Sequence, residues 1–141
     1  MTENIGPDKQ LRGRQFIPGI AWFFVILVLI GTPGYDFPKV GSWFDELNSD
    51  KLIHMGVFGL LAYLFMRPIG KSLLPLAKKK QFFIKITLCT IIWGLCTELI
   101  QKYWIPGRSC DVLDWVADSI GAIIAYFWAK KYLLAQKPVK S

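Results

Sequence analysis

Four mostly apolar stretches alternate with polar or helix-breaking residues along the chain: about Phe16 to Ile30, Lys51 to Met66, Phe82 to Trp104 and Val112 to Leu134. A helix needs about 20 predominantly apolar residues to cross a hydrocarbon core about 30 Å thick, and snorkelling flanks extend a shorter run. The pattern therefore predicts an all-α fold, a polytopic bundle of four transmembrane helices. The first stretch ends at the breaker Gly31-Thr32-Pro33-Gly34 and shows no small-x-small cleavage site, so it reads as a signal anchor rather than a removed leader. The second is the shortest, with only about a dozen clearly apolar residues after His54, which leaves a buried or re-entrant helix open.

Charge gives the expected orientation. Lys9, Arg12 and Arg14 precede the first stretch, Arg67, Lys71, Lys78, Lys79 and Lys80 separate the second from the third, and Lys130, Lys131, Lys137 and Lys140 close the chain. By the positive-inside rule these three regions face the cytoplasm, giving an N-in/C-in topology. The intervening loops, with Lys39 against Asp36, Asp45 and Glu46 and then Arg108, face outward. The expected organisation is a basic N-terminal segment over 1–15, one transmembrane domain over 16–134 and a basic tail over 135–141. Lys78 to Lys80 read as topology determinants more than as an anionic-lipid site.

Composition agrees: 53% of the residues are hydrophobic, a membrane-protein balance. The net charge of +7 is clustered beside apolar runs and not along a polar face, which argues against nucleic-acid binding. Trp43, Trp104 and Trp115 fall at the expected outer boundary, and Trp128 and Tyr132 at the inner one. Residues Val40 to Leu47 fit either a short interfacial helix, through Trp43, Phe44 and Leu47, or a solvated loop. Cys89, Cys96 and Cys110 have no CxxC spacing; the first two read as packing residues and Cys110 as a free thiol.

The polar residues carry the functional information. Asp50, Lys51 and His54 open the second stretch, Glu98 and Gln101 close the third, and Arg108, Asp111, Asp114 and Asp118 span the last turn and the start of the fourth. Spacings of three and four place each set on one helical stripe, so three helices can aim polar groups into one outward cavity. Asp118 lies roughly 10 Å deeper than Asp111 at the helical rise. An ionised carboxylate costs about 2.5 to 3.5 kcal/mol at the bilayer centre, so Glu98 and Asp118 need inward partners or water. Lys51, Arg108 and His54 are fewer than the five acids, leaving capacity for a proton, a metal or a cationic group. Simpler roles compete: Asp50 as a cap, Asp111 with Asp114 as a capping pair, His54 as a structural hydrogen-bonding residue. Gly56, Gly59, Ala117, Gly121, Ala125 and Ala129 read as small residues that let helices approach.

The ordered set Asp50-Lys51-x-x-His54, Glu98-x-x-Gln101 and Arg108-x-x-Asp111-x-x-Asp114-x-x-x-Asp118-x-x-Gly121 resembles the VanZ-like family of small bacterial membrane proteins, over about residues 45–130. It departs at Asp118, where the family pattern commonly has Asn, which makes this site more acidic. The resemblance implies a multi-pass protein of the bacterial plasma membrane, in a family named for a protein linked to teicoplanin resistance.

The leading functional expectation is an envelope protein that binds a lipid-like or lipoglycopeptide ligand at the outer leaflet, with its head group near Lys51, Glu98 and Arg108. The alternatives are an intramembrane enzyme, metal-assisted or acid/base, acting on a lipid-linked substrate, and proton-coupled transport through Glu98 or Asp118. His54, Glu98, Asp114 and Asp118 are the candidate metal ligands. HExxH, a nucleophile elbow and a phosphate-cradling glycine loop are absent from the sequence, so no motif indicates a cofactor. Membrane lipids are the expected partners, and the oligomeric state is left open.

Overall fold

The computed structural model describes residues 10–32 and 49–135. The expected interfacial segment at Val40 to Leu47, with Trp43, lies outside these residues, as do residues 1–9 and 136–141. A 3-10 turn, Gly13–Phe16, runs into α1, Ile17–Gly31; then follow α2, Ser49–Lys71, α3, Leu76–Trp104, and α4, Val112–Leu133. Each forms part of a span long and apolar enough to cross a membrane.

Local chemistry sets the ends. Pro18 sits in the first turn of α1, where a missing N–H leaves no intrahelical bond unmade. At the other end the Thr32 hydroxyl donates to the Val28 carbonyl at 2.9 Å. The second helix is longer than its apolar run: it continues through Arg67 and Pro68 to Lys71. Its 23 residues settle the alternative of a short re-entrant helix in favour of a full-length span. Only Ser72 to Pro75 separate it from α3, so Arg67, Lys71 and Lys78 to Lys80 lie on helix ends and not in a loop. Lys79 is buried there, donating from Nζ to the Gly70 carbonyl at 2.8 Å and satisfying an acceptor in the last turn of α2.

The buried faces of α3 and α4 are mostly small or polar. Along α3 the buried stripe Phe83, Thr87, Thr90, Gly94, Thr97 and Gln101 advances by alternating steps of four and three. Along α4 the buried face is Asp114, Ala117, Asp118, Gly121, Ala122, Ala125, Ala129 and Leu133. Large side chains point outward, among them Leu88, Ile92, Leu95, Ile123, Ile124 and Phe127. Small and polar side chains of α3 and α4 thus share the interior with Phe58, Leu61, Met66 and Ile69 inside an apolar exterior, which suits a lipid surround where close helix contact rather than water exclusion drives association.

The most extensive contact is between α2 and α4. Gly121 makes it possible: a Cβ there would run into the backbone carbonyl of Met55, and a Cβ on Gly59 would lie 3.0 Å from the Gly121 carbonyl oxygen. Gly56 does not take the packing role its spacing suggests, because a Cβ added to it meets nothing within 4 Å among the described residues. Cys89 is a second correction: it is exposed on the outer face of α3, off the buried stripe. The most lightly packed helix is α1, tied to α2 by the Trp22 indole N–H, which donates to the Val57 carbonyl at 3.0 Å.

The bundle is polarised end to end. Arg14, Arg67 and Lys71 line one cavity at the end where α1 and α3 begin and α2 and α4 finish. The acidic residues among the described ones gather at the other.

Candidate functional site

Three helices and one turn build the polar end. After α3, a turn with Gly107 at φ 74° carries Arg108, and Asp111 begins α4 as its N-cap, accepting from the Leu113 N–H at 2.8 Å. Capping and site-building coincide in Asp111, because its carboxylate also receives Lys51 Nζ at 3.2 Å. The Leu113 N–H, and after it the Lys51 ammonium, hold the Asp111 carboxyl below the usual carboxylate range. Lys51 bridges onward to Asp114 at 3.1 Å, so one α2 cation joins two α4 carboxylates.

One turn deeper, His54 Nδ1 lies 3.0 Å from Asp118 Oδ1. Its Nε2 is 3.9 Å from Asp114 Oδ2 and 4.0 Å from Asp50 Oδ1. Asp118 is fully buried, and Gly94 creates the room for it: a Cβ at residue 94 would lie 3.0 Å from Asp118 Oδ2. Glu98 is 1% exposed, and its Oε2 accepts the Asp111 backbone N–H at 3.0 Å. Glu98 Oε1 and Asp118 Oδ2 are buried without a hydrogen-bond partner among the described residues. Buried carboxylate oxygens are normally paired, so this pair requires a chemical reason.

Beside this cluster lies a cavity of ≈ 320 Å³ between α1 and α2. Ile26, Leu29 and Ile30 of α1 and Ile53, Val57 and Phe58 of α2 form its apolar walls, and Asp50, His54, Gln101 and Arg108 its polar lining. Its volume falls in the range of small-ligand sites, about 300 to 1,000 Å³.

All nine polar residues singled out in the sequence thus stand in one region, linked by these contacts and this shared cavity. They divide into two groups. Asp50, His54, Gln101 and Arg108 line the cavity; Lys51, Asp111, Asp114, Glu98 and Asp118 pair behind it. Neither Lys51 nor Glu98 is among the residues lining that cavity, so a head group placed there meets Arg108, Gln101 and His54 instead. Two contributors went unread: Gly94, whose position on the four-three stripe of α3 was the available signal, and the apolar wall supplied by α1.

Two sets of potential metal donors share His54: Asp50 with Asp114, and Glu98 with Asp118, each set having its donor atoms within 4.8 Å of one another. Compared with known proteins, the chain is matched by the VanZ/LLP1 family model over residues 16–135. No curated protein and no solved structure matches it.

Proposed function

The chain belongs to the VanZ/LLP1 family, and from that premise we propose that this multi-pass membrane protein binds an amphipathic, lipid-like ligand in the cavity between α1 and α2. The carrying observation is the division of that cavity into an apolar wall from two helices and a polar lining of Asp50, His54, Gln101 and Arg108. An acyl or isoprenoid chain gains by lying on Ile26, Ile53 and Phe58, while a head group finds a guanidinium and an amide that suit phosphate or carboxylate oxygens. Positive-inside logic puts the Arg14, Arg67 and Lys71 end in the cytoplasm and this cavity in the outer leaflet of a bacterial plasma membrane.

The test is lipid analysis by native mass spectrometry of full-length protein in detergent, wild type beside Ile53→Trp and Arg108→Gln. Expected is a co-purifying outer-leaflet lipid that the wild type retains and both variants lose by at least about tenfold, a deficit of about 1.4 kcal/mol. Wild-type protein without a bound lipid, or equal retention by all three, overturns the reading.

One observation favours a second reading, acid/base chemistry on a lipid-linked substrate. His54 lines the cavity and its Nδ1 pairs with the buried Asp118, so a carboxylate orients an imidazole that borders the ligand space. Turnover of the co-purified lipid that depends on His54 would favour this reading; unchanged lipid would dismiss it.

A further inference from the structure

The two unpartnered oxygens, Glu98 Oε1 and Asp118 Oδ2, belong to the most deeply buried carboxylates among the described residues, and each of these carboxylates has an oxygen grouped with a nitrogen of His54. We propose that His54, Glu98 and Asp118 together bind one divalent first-row transition-metal ion of the Zn²⁺ or Mn²⁺ type. This inference is independent of the ligand reading, since neither Glu98 nor Asp118 is among the residues lining the cavity.

Three observations carry it. The donor atoms of the three residues lie within 4.8 Å of one another. Donors held at about 2.0 to 2.2 Å from one tetrahedral ion stand roughly 3.3 to 3.6 Å apart, so the set closes with a contraction of no more than about 1.5 Å.

Charge is the second. Behind the cavity, Glu98, Asp111, Asp114 and Asp118 stand against two permanent cations of the same region, Lys51 and Arg108. Lys51 is already shared by Asp111 and Asp114. A divalent ion on neutral His54 brings the set to balance, whereas protonating His54 supplies only one charge. Asp50 and Asp111, with side chains 70% and 43% exposed, are partly solvated, so the uncompensated charge rests on the buried pair Glu98 and Asp118.

Donor chemistry is the third. One imidazole nitrogen with two carboxylates suits zinc or manganese better than calcium or magnesium, which favour all-oxygen shells. Of the three ligands only His54 lines the cavity.

The experiment is elemental analysis of full-length protein in detergent after dialysis against Zn²⁺ and, separately, Mn²⁺, with thermal melting of the same samples. Wild type should hold one ion per chain and melt higher with the ion than after chelation. Glu98→Gln and His54→Gln should lose at least about tenfold in metal affinity, while Asp50→Asn keeps it. A wild type without stoichiometric uptake overturns the proposal. So does a site that survives both Glu98→Gln and His54→Gln, or one lost in Asp50→Asn, which assigns the ion to Asp50, His54 and Asp114. Should a variant not fold, Co²⁺ added to wild type decides: a visible d–d band that Zn²⁺ abolishes supports the site, and its absence overturns it.

Discussion

His54 and Asp118 face each other across the α2–α4 interface at 3.0 Å, one side chain lining the cavity and the other sealed from all solvent. The residue at 118 is thus both a partner for the imidazole and a buried acid. Asp118→Asn keeps the shape and a hydrogen bond to His54, so its melting temperature in detergent should correspond to within about 1 kcal/mol of wild type. Asp118→Ala leaves His54 unpaired and opens a void against Gly94, and should cost about 2 to 4 kcal/mol. Equal melting of the two variants would show that the pair contributes nothing to stability.

Helix approach at Gly121 gives a sharper contrast. Gly121→Ala drives a Cβ into the Met55 carbonyl and must push α2 from α4, for an expected loss of about 1 to 3 kcal/mol. Gly56→Ala, with open space around it, should change stability by no more than about 0.5 kcal/mol. Parallel melting curves in one detergent check both.

At the basic end, Lys79 differs from its neighbours. Lys79→Met removes the donor to the Gly70 carbonyl and should cost about 1 kcal/mol, whereas Lys80→Met, on an exposed position, should be close to neutral. Comparable losses in both would assign the effect to cluster charge and not to the single bond.

Asp111 sets an acid limit. Its folded pKa lies below the ordinary value of 3.8, so its contribution is present above that value and is lost as pH falls through the lower folded value. Asn keeps the cap but not the charge. The stability difference between wild type and Asp111→Asn should therefore be constant near neutral pH and shrink below about pH 4, as read from melting temperatures along a pH series. A difference that persists at the acid end would remove the carboxylate charge as its source.

The four helices were legible because each apolar run is long and bounded by charges or breakers. The end of α2 was not, since Arg67, Pro68 and Lys71 resemble a loop, yet exposed Arg67 and Lys71 can reach outward from a continuing helix. The stripes of the site were legible from three-four spacing. Their meeting was not, because one sequence does not fix the order of helices around a bundle; Lys51 and Asp114 are 63 residues apart. Cys89 and Gly56 differ from expectation for a shared reason: residue type suggests packing, but Cys89 lies off the buried stripe of α3 that includes Thr87 and Gly94, and Gly56 lies off the Gly59–Gly121 contact.

The pairing of α4 acids with α2 bases also constrains biogenesis. A helix bearing Asp114 and Asp118 faces a desolvation cost that reaches about 2.5 to 3.5 kcal/mol per acid at the bilayer centre and is smaller for Asp114 in its first turn. The earlier-made α2 presents Lys51 and His54 to those acids. Contact with α2 therefore offsets part of the cost of seating the α4 acids in lipid, and couples the placement of the two helices.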